Sequence, residues 1–125
     1  MAISRTAKVH EYVSIDASKG PVIIMDNVSI KPFSRIEGPC YIGPNSTILN
    51  DKYPPSGDAS KWIPVQIHDN AVIGGGCTVL PGAHIGERSV LGGGSVLTKP
   101  IPDGEVWTGN PAQFLMSREE YDAKR

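Results

Sequence analysis

A bulky aliphatic recurs at every sixth position, first as Ile24, Ile30, Ile36, Ile42 and Ile48, then as Ile67, Ile73, Val79, Ile85, Leu91 and Leu97. An amphipathic helix repeats its apolar positions at three and four residues, and an ordinary half-buried strand at two. A strict period of six fits neither. It fits a parallel β-helix, in which each short flat strand sends one aliphatic inward and each corner turns the chain onto the next face. Four residues after each aliphatic comes a second column: Val28, Ser34, Cys40, Ser46, Ala71, Cys77, Ala83, Ser89 and Ser95. All but Val28 are Ala, Ser or Cys, as a cramped corner requires. Gly often follows the aliphatic directly (Gly43, Gly74, Gly86, Gly92), where a corner needs close backbone approach.

The pattern also sets the domain organisation. Ile3, Val9 and Ile15 carry the period back to the start of the chain, and a spacing of nine between Ile15 and Ile24 implies a three-residue bulge near Lys19-Gly20-Pro21. Between Ile48 and Ile67 about thirteen residues exceed one hexad. That stretch is polar and turn-rich, which predicts an extruded loop over about 50–64. After Leu97 the period stops. Residues 116–125 are expected to form a helical cap over the open end of a 1–115 solenoid, with Ser117 as N-cap and Glu120 completing a capping box.

A net charge of -1 and a charged fraction of 20% predict no general affinity for nucleic acid or anionic membrane. The apolar runs fall well short of a transmembrane span and no secretory signal is expected, so the cytoplasm is the predicted compartment. Cys40 and Cys77 both fall in the corner column and read as reduced core thiols rather than as metal ligands or a disulfide. No metal site is expected.

A regular prism is scaffold, and function belongs where the regularity breaks. Gly74-Gly75-Gly76 and Gly92-Gly93-Gly94 are eighteen residues apart, three hexads, so in a three-sided coil they stack on one edge. Either they satisfy tight corners, or they leave a smooth groove for an extended, amide-bearing ligand. Beyond them, the run from Ser95 through Thr98-Lys99-Pro100 to Gly109-Asn110-Pro111-Ala112 resembles the final coil of the hexapeptide-repeat acyltransferases, and the likeness is best from Ile67 to Ala112. The resemblance implies a single-stranded left-handed parallel β-helix of about five coils, a homotrimer, and acetyl-CoA as co-substrate. It places the pantetheine arm along Gly76, Cys77, Gly94 and Ser95, the nucleotide phosphates near Thr98 and Lys99, and the adenine against Gly109, Asn110, Pro111 and Ala112. A corner N–H, that of Gly76, would polarise the thioester.

Leu49-Asn50-Asp51-Lys52-Tyr53-Pro54 resembles the segment that opens the active-site loop in nucleotide-sugar N-acetyltransferases. Asn50 is then a candidate oxyanion donor and Asp51 a candidate to orient the acceptor. The alternative is that Asn-Asp only starts a turn. Of the three histidines, His10, His68 and His84, none lies in the loop. His68 and His84 are expected on neighbouring coils of one face, where either could act as a base. An amine acceptor needs such a base less than a hydroxyl does, which favours an amino sugar or nucleotide-linked sugar. Two other functions compete. A γ-class carbonic anhydrase needs a close histidine pair and a third two coils away, which this spacing lacks. A non-catalytic trimeric scaffold, related to the β-helical domains of sugar nucleotidyltransferases, would not bind acetyl-CoA.

Overall fold

A computed structural model describes residues 1–125 as an all-β parallel solenoid of about five turns with one short C-terminal helix. Its strands, most of two or three residues, build three faces of seven, five and four strands. We number the faces in the order the chain visits them. The first edge joins face 1 to face 2, the second joins face 2 to face 3, and the third leads back to face 1.

The pairing register explains the sequence period. Ile24 pairs with Ile42, Ile73 with Leu91, and Ile67 with Ile85, each offset by the eighteen residues of one coil. In the first coil the offset is twenty-one, as in Ile15 with Ile36, so the extra three residues form the bulge expected near Lys19. Across the loop it is thirty-one, as in Ile36 with Ile67, which absorbs thirteen residues without disturbing either neighbour. In the last coil it falls to sixteen, with Leu91 opposite Trp107 and Ile85 bridged to Ile101.

All of the sixth-position aliphatics from Ile24 to Leu97 point inward and are no more than 1% exposed. The corner column is equally buried, and its hydroxyls close the turns. Ser46 Oγ donates to the Gly74 carbonyl at 2.9 Å and accepts from the Cys77 N–H, while Ser89 Oγ donates to the Gly86 carbonyl at 2.6 Å. Small polar side chains thus satisfy backbone groups that a buried corner would otherwise leave unpaired. Val65 and Val90 are buried as well. Val65 occupies the corner column, and Val90 lies beneath the final strands. At the other end Ile3 is 40% exposed, because no coil covers it.

Past Leu97 the sequence pattern fails but the fold continues. Glu105–Gly109 extends face 1 in parallel, and Ala112–Ser117 pairs antiparallel with it. The helix Arg118–Lys124 is capped by Ser117, whose Oγ accepts from the Glu120 N–H. It docks along the third edge rather than over the open end of the coil. Arg118, 8% exposed, donates from Nη1 to the Asn70 carbonyl and from Nε to Asp122, while Arg88 faces Glu119 and Asp122.

Candidate functional site

On the first edge Gly43, Gly74 to Gly76 and Gly92 to Gly94 stack coil upon coil. A Cβ added to Gly74 would lie 2.6 Å from Gly93 N, and one on Gly43 would lie 2.6 Å from Gly75 N. These two positions are glycine because the neighbouring backbone fills the space. Gly76 and Gly94 differ. Their φ angles are +67° and +71°, and a Cβ there would meet nothing within 4 Å. Here the demand is conformational, and the space outside is open.

The hydrogen bonds of this edge correct one expectation. The Gly76 N–H donates to the Pro44 carbonyl and the Gly94 N–H to the Gly75 carbonyl, both at 2.8 Å. Gly76 therefore has no free donor to polarise a thioester. The N–H groups of Gly75 and Gly93 make no backbone bond. Cys77 is buried, with Sγ 3.2 Å from the Gly92 carbonyl, and burial pushes its thiol up. Burial also pushes the Cys40 thiol to about 12. Neither sulfur is a nucleophile at neutral pH. Ser95 Oγ accepts from the Gly109 N–H at 3.0 Å, which pins the Gly109-Asn110-Pro111-Ala112 turn to the head of the glycine edge. Thr98 and Lys99 are exposed at the second edge, across face 2 from that turn.

The extruded loop leaves and rejoins the prism at the second edge. Asn50 is buried and serves as its clasp: the side-chain Nδ2 donates to the Pro32 carbonyl at 3.1 Å, and the backbone carbonyl of Asn50 accepts from the Ile63 N–H at 2.7 Å. One Nδ2 hydrogen is thus spent on the Pro32 carbonyl, which gives Asn50 a structural role in holding the loop. Asp51 accepts from the Ser56 N–H at 2.9 Å and so shapes the loop. A 3-10 turn, Ala59–Lys61, follows, capped by Asp58, whose carboxyl is held below its usual range by Ser60. Asp51, Lys52, Tyr53, Ser56, Lys61 and Ile63 line a cavity of about 400 Å³.

The two histidines do meet. The ring centroids of His68 and His84 are 6.1 Å apart on face 3, with His84 paired to Gln66 just where the loop returns. His68 Nδ1 lies 3.8 Å from Glu37 Oε2. Glu37 was not singled out from sequence, although it follows Ile36 as His68 follows Ile67, and those two isoleucines pair. Together these groups form an acid–imidazole–imidazole row in partial contact with solvent. No group of three or more His, Cys, Asp or Glu side chains could hold a metal ion, and no helix is long and apolar enough to cross a membrane.

Comparison with known proteins fits this geometry. Residues 64–99 match the bacterial transferase hexapeptide family (six repeats). A candidate acetyltransferase of Saccharomyces cerevisiae is 34% identical over 119 residues, covering 91% of this chain and 54% of the yeast protein. The galactoside O-acetyltransferase of Lactococcus lactis is 40% identical over 87 residues, 66% of this chain and 42% of that one. The chain thus spans about half the length of these relatives. Among solved structures, a hexapeptide-repeat acetyltransferase of Vibrio cholerae complexed with acetyl coenzyme A superposes with a TM-score of 0.73 at 24% identity, over 89% of this chain and 63% of that one. The perosamine N-acetyltransferase of Caulobacter crescentus, as its H141N mutant with CoA and GDP-perosamine, gives 0.63 at 23%, over 90% and 55%. The solenoid is the left-handed β-helix of this group.

Proposed function

We propose that this chain, whose repeats are of the bacterial transferase hexapeptide type, is an acetyl-CoA-dependent acetyltransferase acting on a sugar, with an amino sugar or nucleotide-linked sugar as acceptor. The observation that carries the reading is the 34% identity to an acetyltransferase relative over 119 residues, almost the whole prism. The pantetheine arm lies along the open outer side of Gly76 and Gly94, its amides facing the unpaired N–H groups of Gly75 and Gly93. The Gly109–Ala112 turn gives a surface for the adenine, and Lys99, on the second edge, supplies a positive charge for the phosphates from the adjoining copy. The acceptor nitrogen attacks the thioester carbonyl, the C–S bond breaks as the CoA thiolate leaves, and the nitrogen loses its proton to a base or to water. A homotrimer, in which the loop of one copy meets the glycine edge of the next, is the assembly that goes with this reading. The exposed Phe114 and Leu115 and the half-buried Ile23 and Val72 are apolar surface it would bury. Such an enzyme would work in the cytoplasm.

Transfer to a hydroxyl is a second reading, favoured by the Glu37–His68–His84 row. Glu37 would orient His68, and an imidazole would take the proton that a sugar hydroxyl does not give up unaided. Calorimetric titration of acetyl-CoA into wild type and Lys99→Glu tests the donor site. Micromolar binding weakened by charge reversal is expected. No binding at millimolar acetyl-CoA would overturn the transferase reading in favour of a scaffold. Paired assays with an amino sugar and its hydroxyl analogue, on wild type and His68→Ala, then decide between nitrogen and oxygen.

A further inference from the structure

The second edge holds a feature that acetyl transfer leaves unused. Tyr12 and Phe33 occupy equivalent corners of successive coils, with φ of 63° and 70°. Elsewhere the corners that take this left-handed conformation carry Asn27, Asn45, Asn70, Gly76, Gly82, Gly94 or Gly104, with Arg88 the one further exception. Asn and Gly tolerate that region, and a bulky side chain there is strained. Burial does not offset the strain, because Tyr12 is 70% and Phe33 42% exposed. The two rings stack with centroids 5.2 Å apart and planes within 6°, and Trp62 of the loop adds a third at 6.2 Å from Phe33. The result is a ladder of aromatic rings climbing from the N-terminal coil to the loop.

Cations flank it. Lys31 precedes Phe33 by two residues at the end of face 2, Arg35 follows by two on face 3, and Lys61 adjoins Trp62. Lys31 also lines a cavity of about 350 Å³ on face 2 with Lys8 and His10, whose Nε2 is buried without a hydrogen-bond partner. Glu11, exposed beside Tyr12, opposes them at the lower end, and Asp51 and Asp58 lie near Lys61 in the loop, so the unopposed positive charge is that of Lys31 and Arg35 beside Phe33. A neutral monosaccharide has no use for such a concentration of positive charge. A flat heteroaromatic base carrying phosphates uses both parts, since base–aromatic stacking is indifferent to base identity and ammonium or guanidinium groups pair with phosphate.

We infer that the Tyr12–Phe33–Trp62 ladder binds a nucleoside diphosphate, its base stacked on the rings and its phosphates on Lys31 and Arg35. This inference rests on the transferase reading and narrows its acceptor to a nucleotide-linked sugar, held beside the loop cavity. The same chemistry belongs to the nucleotide end of CoA, so the test separates the two. UDP and GDP are titrated into wild type and into the Tyr12→Asn/Phe33→Asn double variant, which keeps residues suited to the left-handed backbone. Wild type is expected to bind one of the nucleotides. The variant is expected to lose about tenfold or more of that affinity, to melt no lower than wild type, and to keep its affinity for acetyl-CoA. Wild type that binds acetyl-CoA but neither nucleotide at millimolar concentration overturns the inference and leaves the transferase standing. So does a variant that binds nucleotide as well as wild type. Parallel loss of acetyl-CoA affinity would assign the ladder to the donor and overturn its assignment to the acceptor.

Discussion

Alanine at Gly74 and alanine at Gly76, two residues apart on one edge, should fail in opposite ways. At Gly74 the new methyl would sit 2.6 Å from Gly93 N and 3.1 Å from the Leu91 carbonyl oxygen. Both are backbone atoms fixed by the inter-coil ladder, so neither can rotate aside. Overpacking costs about 1–3 kcal/mol in typical cores, and a clash with backbone belongs at the top of that range. At Gly76 the methyl meets nothing, and the cost is the left-handed conformation alone, about 1–2 kcal/mol. At roughly 3–5 °C per kcal/mol for a domain of this size, Gly74→Ala should lower Tm by about 10 °C or more and Gly76→Ala by about 5 °C. Ligand binding should rank the other way. The Gly76 methyl projects into the space proposed for the pantetheine arm, so the folded variant should lose about tenfold or more in acetyl-CoA affinity. Thermal denaturation and calorimetry on the two variants read both quantities. A Gly76→Ala protein less stable than Gly74→Ala would refute the close-packing argument, and one that binds acetyl-CoA like wild type would remove the donor from this edge.

Other outcomes follow from the same geometry. Asn50→Ala should cost about 1–3 kcal/mol by leaving the Pro32 carbonyl unpaired, and should speed proteolytic cleavage within residues 51–62. A variant that loses turnover with unchanged loop protection would assign Asn50 to the chemistry instead. Asp122 is held below its usual range chiefly by its hydrogen bond from Arg118, with further attraction from Arg125 and Arg88. Because the folded carboxyl is the more acidic, its contribution is present above the ordinary Asp value of 3.8 and is lost as pH falls below it. Acidification from pH 5 to pH 3 should therefore loosen the terminal helix before the prism unfolds. Amide exchange that stays equally slow in residues 118–124 at both pH values would contradict this.

The fold was largely legible because the solenoid repeats one environment many times, and each repeat demands the same residue type. Ile42 and Ile73 face the axis for the same reason, and so declare it with the same side chain. The exit was not legible. With two residues fewer in the last coil, Ile101 and Trp107 fall out of phase with Leu97, so the strand at Glu105–Gly109 looked like the end of the pattern. The site was read less well because its residues act across coils. Asn50 bonds a carbonyl exactly one coil length below it, at Pro32, and Glu37 reaches His68 across the loop insertion. Those partners are regular in the folded ladder but distant along the chain. The glycine edge sits between the two cases: its stacking followed from the period, whereas the division into filled and open glycines required the backbone.

The coil offsets of twenty-one, thirty-one and sixteen have a consequence for how such a chain can change over time. Length is added or removed only at edges, and the register on either side survives intact. The first edge, however, takes neither extra residues nor, at Gly43 and Gly74, even a methyl group. The second edge already accommodates thirteen additional residues. One corner of the prism is thus closed to variation while another stands open to it. A lineage built on this plan can replace its extruded loop wholesale and keep its glycine edge untouched.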